Sequence, residues 1–231
     1  LSEIAKNIEI IRERIHDAAS RAGRSADDIT LVAAAKQNPP EKIREAIRFG
    51  IGAVGENRVQ ELMEKYADNA YQGAALHFIG RLQTNKVKYL VGKVSLIHSV
   101  DSVKLLSEID RQSGKAGLVS DILIQINIGG EESKGGIPAH ELSGFLKNAA
   151  EFSGVRVRGL MTIPPVTADK SEQLALFKRM YQLFIDNKAK KYDNISMDYL
   201  SMGMTDDYYE AVLCGANMVR IGSGIFGERN Y

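Results

Sequence analysis

The sequence predicts an α/β fold, a single (β/α)8 TIM barrel with an extra N-terminal helix. Three observations carry that expectation. Eight short apolar runs recur along the 231 residues, each except the last followed by a helical pattern. Their starts lie roughly 20 to 40 residues apart, as parallel strands joined by crossover helices require. No Gly-rich phosphate turn follows the first run, where an open dinucleotide-binding sheet would place one. No Pro/Gly/Ser-rich linker or shift in composition divides the chain, so residues 1–231 are expected to form one domain.

Residues 1–23 carry Ile4, Ile8, Ile11, Ile15, Ala18 and Ala22 at helical spacing with charges between them, an amphipathic helix ending at Gly23. The first strand is expected over about 29–36, where the residues from Ile29 to Ala35 are apolar except Thr30 and run into Lys36. An unbroken apolar run of this kind reads as a strand buried on both faces. The chain then turns on Pro39-Pro40 into a helix that closes near Gly50. Further strands are expected at Ile51–Val54, Leu76–Ile79, Ser95–His98, Ile122–Ile128, Val155–Met161, Met197–Ser201 and Met218–Ile221. Helical patterns fill the gaps at Glu56–Tyr66, Asn85–Val91, Val103–Gln112, Pro138–Phe152, Ser171–Lys188 and Asp206–Cys214.

Charge and composition exclude several classes. With 30 Lys+Arg against 29 Asp+Glu the net charge is +1, so no broad basic face for nucleic acid is expected. The basic cluster Lys188-Ala189-Lys190-Lys191 reads as solvated loop. No apolar run approaches the roughly 20 residues that span a bilayer, and no membrane partner is expected. The amphipathic, partly acidic amino terminus is unlike a secretory or transit peptide. Cys214 is the single cysteine, which fits a reducing compartment and a cytoplasmic location, and its context reads as packing. Asn194-Ile195-Ser196 matches a glycosylation acceptor, but nothing else suggests secretion. His16, His77, His98 and His140 show no metal-binding spacing, and no metal site is expected.

In a barrel, chemistry collects at the carboxyl ends of the strands. The first strand delivers Lys36, where partial desolvation would free the amine to attack a carbonyl; the plainer reading is a lysine that merely ends a strand. The second delivers Gly55-Glu56-Asn57-Arg58, the third His77-Phe78-Ile79-Gly80 and the sixth Gly159-Leu160-Met161-Thr162. The seventh ends Leu200-Ser201-Met202-Gly203-Met204, the eighth Val219-Arg220-Ile221-Gly222-Ser223-Gly224. Loops after strands seven and eight often bind phosphate in barrels. Ser201 offers a hydroxyl there, and Gly222 and Gly224 let backbone approach a ligand. Closure sets the eighth strand beside the first, making Arg220 and Lys36 neighbours across the seam. An amine, an arginine and a phosphate cradle suit a phosphorylated aldehyde, and pyridoxal 5′-phosphate held as a Schiff base is the candidate cofactor.

These segments, with Arg81-Leu82-Gln83, Asn85-Lys86, Thr205-Asp206-Asp207 and Ile225-Phe226-Gly227, resemble the YggS/PROSC family of pyridoxal phosphate homeostasis proteins, which share the barrel of alanine racemase. The stretch from Asn127 to Gly135, with Glu131 and Lys134, matches as well, so the resemblance covers nearly the whole chain. It implies that Lys36 forms the internal aldimine and that Ser201, with the backbone of Gly222 and Ser223, holds the phosphate. It also implies that Arg220 faces the pyridine nitrogen and that Asn57 and Met161 line the ring. An arginine at that nitrogen keeps it unprotonated and weakens the ring as an electron sink. Gln37 and Asn38 stand where many members have Thr and Lys, a departure at the mouth of the site. The implied role is intracellular vitamin B6 homeostasis without robust catalysis, with apo forms of pyridoxal-phosphate enzymes as candidate recipients.

Plainer readings apply elsewhere. Gly222 to Gly227 spells G-x-G-x-x-G, but only four residues follow, too few for a βαβ unit. Asp206-Asp207 reads as a helix cap, and His77 as a satisfied core residue. Three functions remain open: a cofactor carrier, a racemase or decarboxylase using the cofactor, and a cofactor-free aldolase acting through Lys36. Racemases of this fold add a β-rich domain that dimerises and supplies a tyrosine. This sequence stops at Tyr231, so a monomeric carrier is expected. The aldolase would leave Arg220 and the Gly222-Ser223 turn without use.

Overall fold

Eight parallel strands close on themselves: β1 (Thr30–Ala34), β2 (Ala53–Glu56), β3 (Ala75–Phe78), β4 (Leu96–Val100), β5 (Ser120–Asn127), β6 (Val155–Met161), β7 (Ile195–Ser201) and β8 (Met218–Ile221). Their order around the barrel follows the chain, and β1 pairs with β8 to close it, Val32 opposite Arg220 and Ala33 opposite Ile221. The structure is a computed structural model that describes residues 2–131, 135–165, 167, 169–190 and 192–227. Lys134 falls outside the described residues.

The helices are α1 (Glu3–Arg21), α2 (Pro40–Arg48), α3 (Val59–Ala67), α4 (Val103–Ala116), α5 (Leu142–Ala150), α6 (Lys170–Lys188), α7 (Tyr208–Leu213) and the short α8 (Ser223–Phe226). The extra helix α1 starts where the Ser2 hydroxyl accepts the Ala5 N–H at 3.2 Å, a cap worth about 1 kcal/mol. Its predicted stripe of Ile4, Ile8, Ile11, Ile15 and Ala18 is buried, against α2, α7 and α8. Ser102 caps α4 in the same way, and Gly117 ends it in the left-handed region at φ 66°.

Two expectations were too simple. Between β3 and β4 the helical pattern forms only a 3-10 segment, Thr84–Tyr89. The stretch expected to be one helix from Pro138 instead begins extended, because Ile137–Pro138 pairs with the end of β5. A 3-10 turn follows, and α5 starts at Leu142.

The core has two layers. Inside the barrel Val32, Ala53, Leu96, Leu123, Met161 and Met218 pack together with Ile163 and Tyr199, and a larger cluster fills the space between sheet and helices. Gly159 shows how tightly the wall is built. A Cβ there would lie 1.9 Å from the Tyr199 carbonyl oxygen, so β6 and β7 meet closely only because the residue is glycine. At the amino ends of the strands a cavity of about 980 Å³ opens beneath α1, lined by Ile15, Leu31, Ile51, His77, Leu96 and Tyr199.

Candidate functional site

The carboxyl ends of β1, β2, β6, β7 and β8 bring the predicted residues together, with one correction to their register. The first strand stops at Ala34, so Lys36 sits half-buried in the turn beyond it rather than in the ladder. Arg220 is paired with Val32, four residues earlier, and what lies against the end of β1 is Gly222. A Cβ on Gly222 would stand 3.3 Å from the Ala34 carbonyl oxygen. Lys36 therefore adjoins the turn after β8, and Arg220 lies deeper in the barrel. The lysine turn is itself constrained: Gln37 adopts φ 62°, unusual for a residue with a side chain.

Arg220 is buried at 4% exposure and heads a chain of polar contacts across the barrel interior. Its Nη1 donates to Ser201 Oγ at 2.5 Å and its Nη2 to the Thr162 carbonyl at 2.9 Å. Ser201 Oγ lies 3.1 Å from His98 Nδ1, and His98 Nε2 lies 3.0 Å from His77 Nδ1. The four groups form one continuous chain in which Arg220 donates to Ser201 Oγ and each neutral imidazole donates through one ring nitrogen and accepts through the other. Burial enforces the neutral forms, pulling His77 down to about 4 and His98 well below the usual histidine range. Burial also draws Arg220 down to about 10, opposed by the charge of Asp207. His77 is thus a satisfied interior residue, as expected, and it faces the floor cavity.

The loops after β7 and β8 are stitched together by a residue that the sequence reading quoted without a role. Thr205 Oγ1 accepts the Gly224 N–H at 3.3 Å and lies 3.2 Å from Ser223 Oγ. Arg220 N–H donates to the Gly203 carbonyl at 3.0 Å. Asp207 occupies the residue before α7 yet does not cap it. Its carboxylate reaches back to the Met204 N–H at 2.6 Å and accepts from Gln173 at 3.0 Å, pinning the loop rather than the helix. Burial raises the Asp207 carboxyl, partly offset by the Met204 N–H and Arg220.

Asn57 follows β2, and its Oδ1 is buried with no hydrogen-bond partner among the described residues. Gly80 makes room for it: a Cβ there would lie 2.1 Å from the Asn57 carbonyl oxygen. Met161 is fully buried in the inner core beside Ser201 on β7. Asn57, Ser201, Arg220, Gly222, Ser223 and Lys36 thus share one end of the barrel. The roomy cavity at the opposite end touches none of them, so the chemistry and that cavity belong to different ends.

Sequence reading missed His98 and Thr205 as site residues. His98 had a signal, since it alternates with Leu96 on the inward face of the fourth expected strand. Thr205 had none, because its partners come from a different loop.

An amine in a constrained turn, a buried guanidinium and glycine-lined loops can hold a flat phosphorylated aldehyde. The orphaned Asn57 oxygen and the close approach at Gly222 fit such a group.

Comparison with known proteins supports this picture. A family model described as "Alanine racemase, N-terminal domain" matches residues 1–230. The "Pyridoxal phosphate homeostasis protein" of Aquifex aeolicus is 45% identical over 221 residues, covering 96% of each chain. The protein of the same name in Escherichia coli is 38% identical, covering 100% of this chain and 99% of that one. The solved structure of PipY from Synechococcus elongatus with PLP bound superimposes with a TM-score of 0.83 at 30% identity, covering 97% of this chain and 100% of that one.

Proposed function

This chain belongs to the pyridoxal phosphate homeostasis proteins, built on the alanine racemase N-terminal domain, and from that premise we propose that it is a single-domain carrier of pyridoxal 5′-phosphate. The cofactor supplies an aldehyde and a phosphate. When bound, its aldehyde would let the Lys36 amine hold it reversibly through a C=N bond, one water leaving on capture and one consumed on release. Reversibility is what a carrier needs.

The remaining residues hold the ligand. The backbone of Gly222 and Ser223, in the loop tied by Thr205, offers N–H groups to the phosphate, with Ser201 beneath it. Asn57 and Met161 would border the ring, and Arg220 would meet its nitrogen. The observation that carries the reading is the buried Arg220, fixed by Ser201 and the Thr162 carbonyl below the lysine turn. Even drawn down to about 10 by burial, the Arg220 guanidinium keeps its protons near neutral pH, so it would leave the ring nitrogen unprotonated, which supports holding the cofactor over carbanion chemistry.

The setting proposed is the cytoplasm, supported by the free buried thiol of Cys214. Among the described residues no helix is long and apolar enough to cross a membrane. Recipients are apo forms of pyridoxal-phosphate enzymes, and the protein works as a monomer.

The test is an absorption spectrum with added pyridoxal 5′-phosphate, before and after borohydride, followed by peptide mass analysis. A visible band that reduction removes, with the label fixed on Lys36 and absent in Lys36→Ala, is the expected result. A label elsewhere, or no band at saturation, sinks the assignment. Incubation with amino acids separates the second role: a carrier passes cofactor to an apo-enzyme and leaves the amino acids unchanged.

A further inference from the structure

Behind the lysine turn lies a buried charge cluster that the site described above does not use. Lys65, on α3, is 7% exposed, an unusual place for a lysine. Its Nζ donates to Glu56 Oε1 at 2.7 Å, to Glu61 Oε1 at 2.6 Å and to the Ala35 carbonyl at 2.9 Å. Glu61 Oε1 also accepts the Gln37 N–H at 2.5 Å. The cluster therefore grips the backbone on both sides of Lys36, at the carbonyl of the preceding residue and at the amide of the following one. Asn38 completes the frame, its side chain donating to the Lys36 carbonyl at 3.2 Å and its N–H to the Ala35 carbonyl at 3.0 Å.

The grip has a physical task. Gln37 is held at φ 62°, a conformation that costs a residue with a Cβ about 1 kcal/mol and persists only where its surroundings impose it. A charge-assisted bond from the Gln37 N–H to a carboxylate supplies that constraint. Glu56, fully buried on β2 and also bonded by Tyr71 OH at 3.0 Å, anchors the far side of Lys65. The arrangement is costly to bury, and a hydrophobic cluster of the same volume would pack as well. What the charged version adds is a fixed backbone at the one lysine that must present its amine.

We propose that Lys65 and Glu61 are positioning residues for Lys36, clamping its backbone from both sides so that its amine is presented to the aldehyde of pyridoxal 5′-phosphate. This rests on the reading that Lys36 carries the cofactor. Losing a charge-assisted hydrogen bond that orders a ligand-binding group weakens binding by about tenfold.

The experiment uses the full chain as wild type, Glu61→Ala, Glu61→Gln and Lys65→Met. For each, affinity for pyridoxal 5′-phosphate is titrated by the visible band, and the pH midpoint of that band is recorded. The labelled residue is identified after borohydride, and the thermal midpoint is measured without cofactor. Glu61 is partly exposed, so its variants keep the fold even if Lys65→Met, which strands buried Glu56, does not. The expected result is label on Lys36 in the wild type, with affinity about tenfold weaker and a displaced pH midpoint in Glu61→Ala. Most of the loss should return in Glu61→Gln, whose amide oxygen still accepts from Gln37. Wild-type affinity and pH midpoint in Glu61→Ala, with the label on Lys36, overturn the clamp while leaving the Lys36 reading intact. So does a loss of affinity that only tracks thermal stability and is not rescued by Glu61→Gln. Label on another residue in the wild type overturns the Lys36 reading and the clamp with it.

Discussion

Arg220 and Ser201 are joined inside the barrel: the guanidinium donates to the hydroxyl at 2.5 Å, with Ser201 fully buried and Arg220 almost so. The same hydroxyl serves His98. Ser201→Ala therefore strips an acceptor from a buried cation and a hydrogen-bond partner from a buried imidazole. The expected loss of stability is about 1–3 kcal/mol, read as a lowered denaturation midpoint of the cofactor-free protein. A serine that only holds phosphate would leave that midpoint where it was.

The His77–His98 pair predicts the acid response. Both are held below the usual histidine range, His77 at about 4, so between pH 4 and 6.5 the unfolded chain binds more protons than the folded one. Stability from this pair is complete above the unfolded value and falls as pH drops through the window. For His77 the loss from pH 7 to 5 is about 2 kcal/mol. Glu56 and Asp207 work in the opposite sense, because their raised carboxyls favour the folded state at low pH and lose that contribution as pH rises. Denaturation profiles of wild type and of the His77→Gln/His98→Gln variant should therefore diverge, the wild type being steeper between pH 7 and 5. Parallel profiles would refute the assignment.

Gly80→Ala places a Cβ 2.1 Å from the Asn57 carbonyl oxygen and 2.6 Å from its Cα. Backbone must shift, at a cost of roughly 1–3 kcal/mol, and Asn57 moves with it. Cofactor affinity should fall beyond what the lost stability explains. Gly144→Ala is the matched control. It lies in α5 with nothing within 4 Å of the new Cβ, and it should stabilise the fold by about 0.5–1 kcal/mol.

Thr205→Val keeps the shape of the loop after β7 and removes the hydroxyl that accepts the Gly224 N–H and meets Ser223. These contacts are partly exposed, so the denaturation midpoint should change by no more than about 1 kcal/mol. Affinity for pyridoxal 5′-phosphate should drop several-fold, while affinity for pyridoxal, which lacks the phosphate, should not. Equal losses for both ligands would place Thr205 outside the phosphate loop.

The sequence alone determined the eight strands, the leading amphipathic helix and the end of the barrel at which Lys36, Asn57, Arg220 and Gly222 stand, though not the register that sets Lys36 beyond β1 and Arg220 deeper, opposite Val32. These are legible because hydrophobic periodicity and turn chemistry are local: Val155–Met161 and Met218–Ile221 were bounded to the residue by their neighbours alone. Tertiary structure decided who touches whom. Ser201 meets His98, 103 residues away, and Lys65 reaches the Ala35 carbonyl across 30 residues. Asp207, which reads as a helix cap, turns back to hold Met204. Strand register and burial select such contacts, since a buried polar group must find whichever partner closure of the barrel brings within about 3 Å. That partner is set by the geometry of eight strands together, and no stretch of neighbouring residues encodes it.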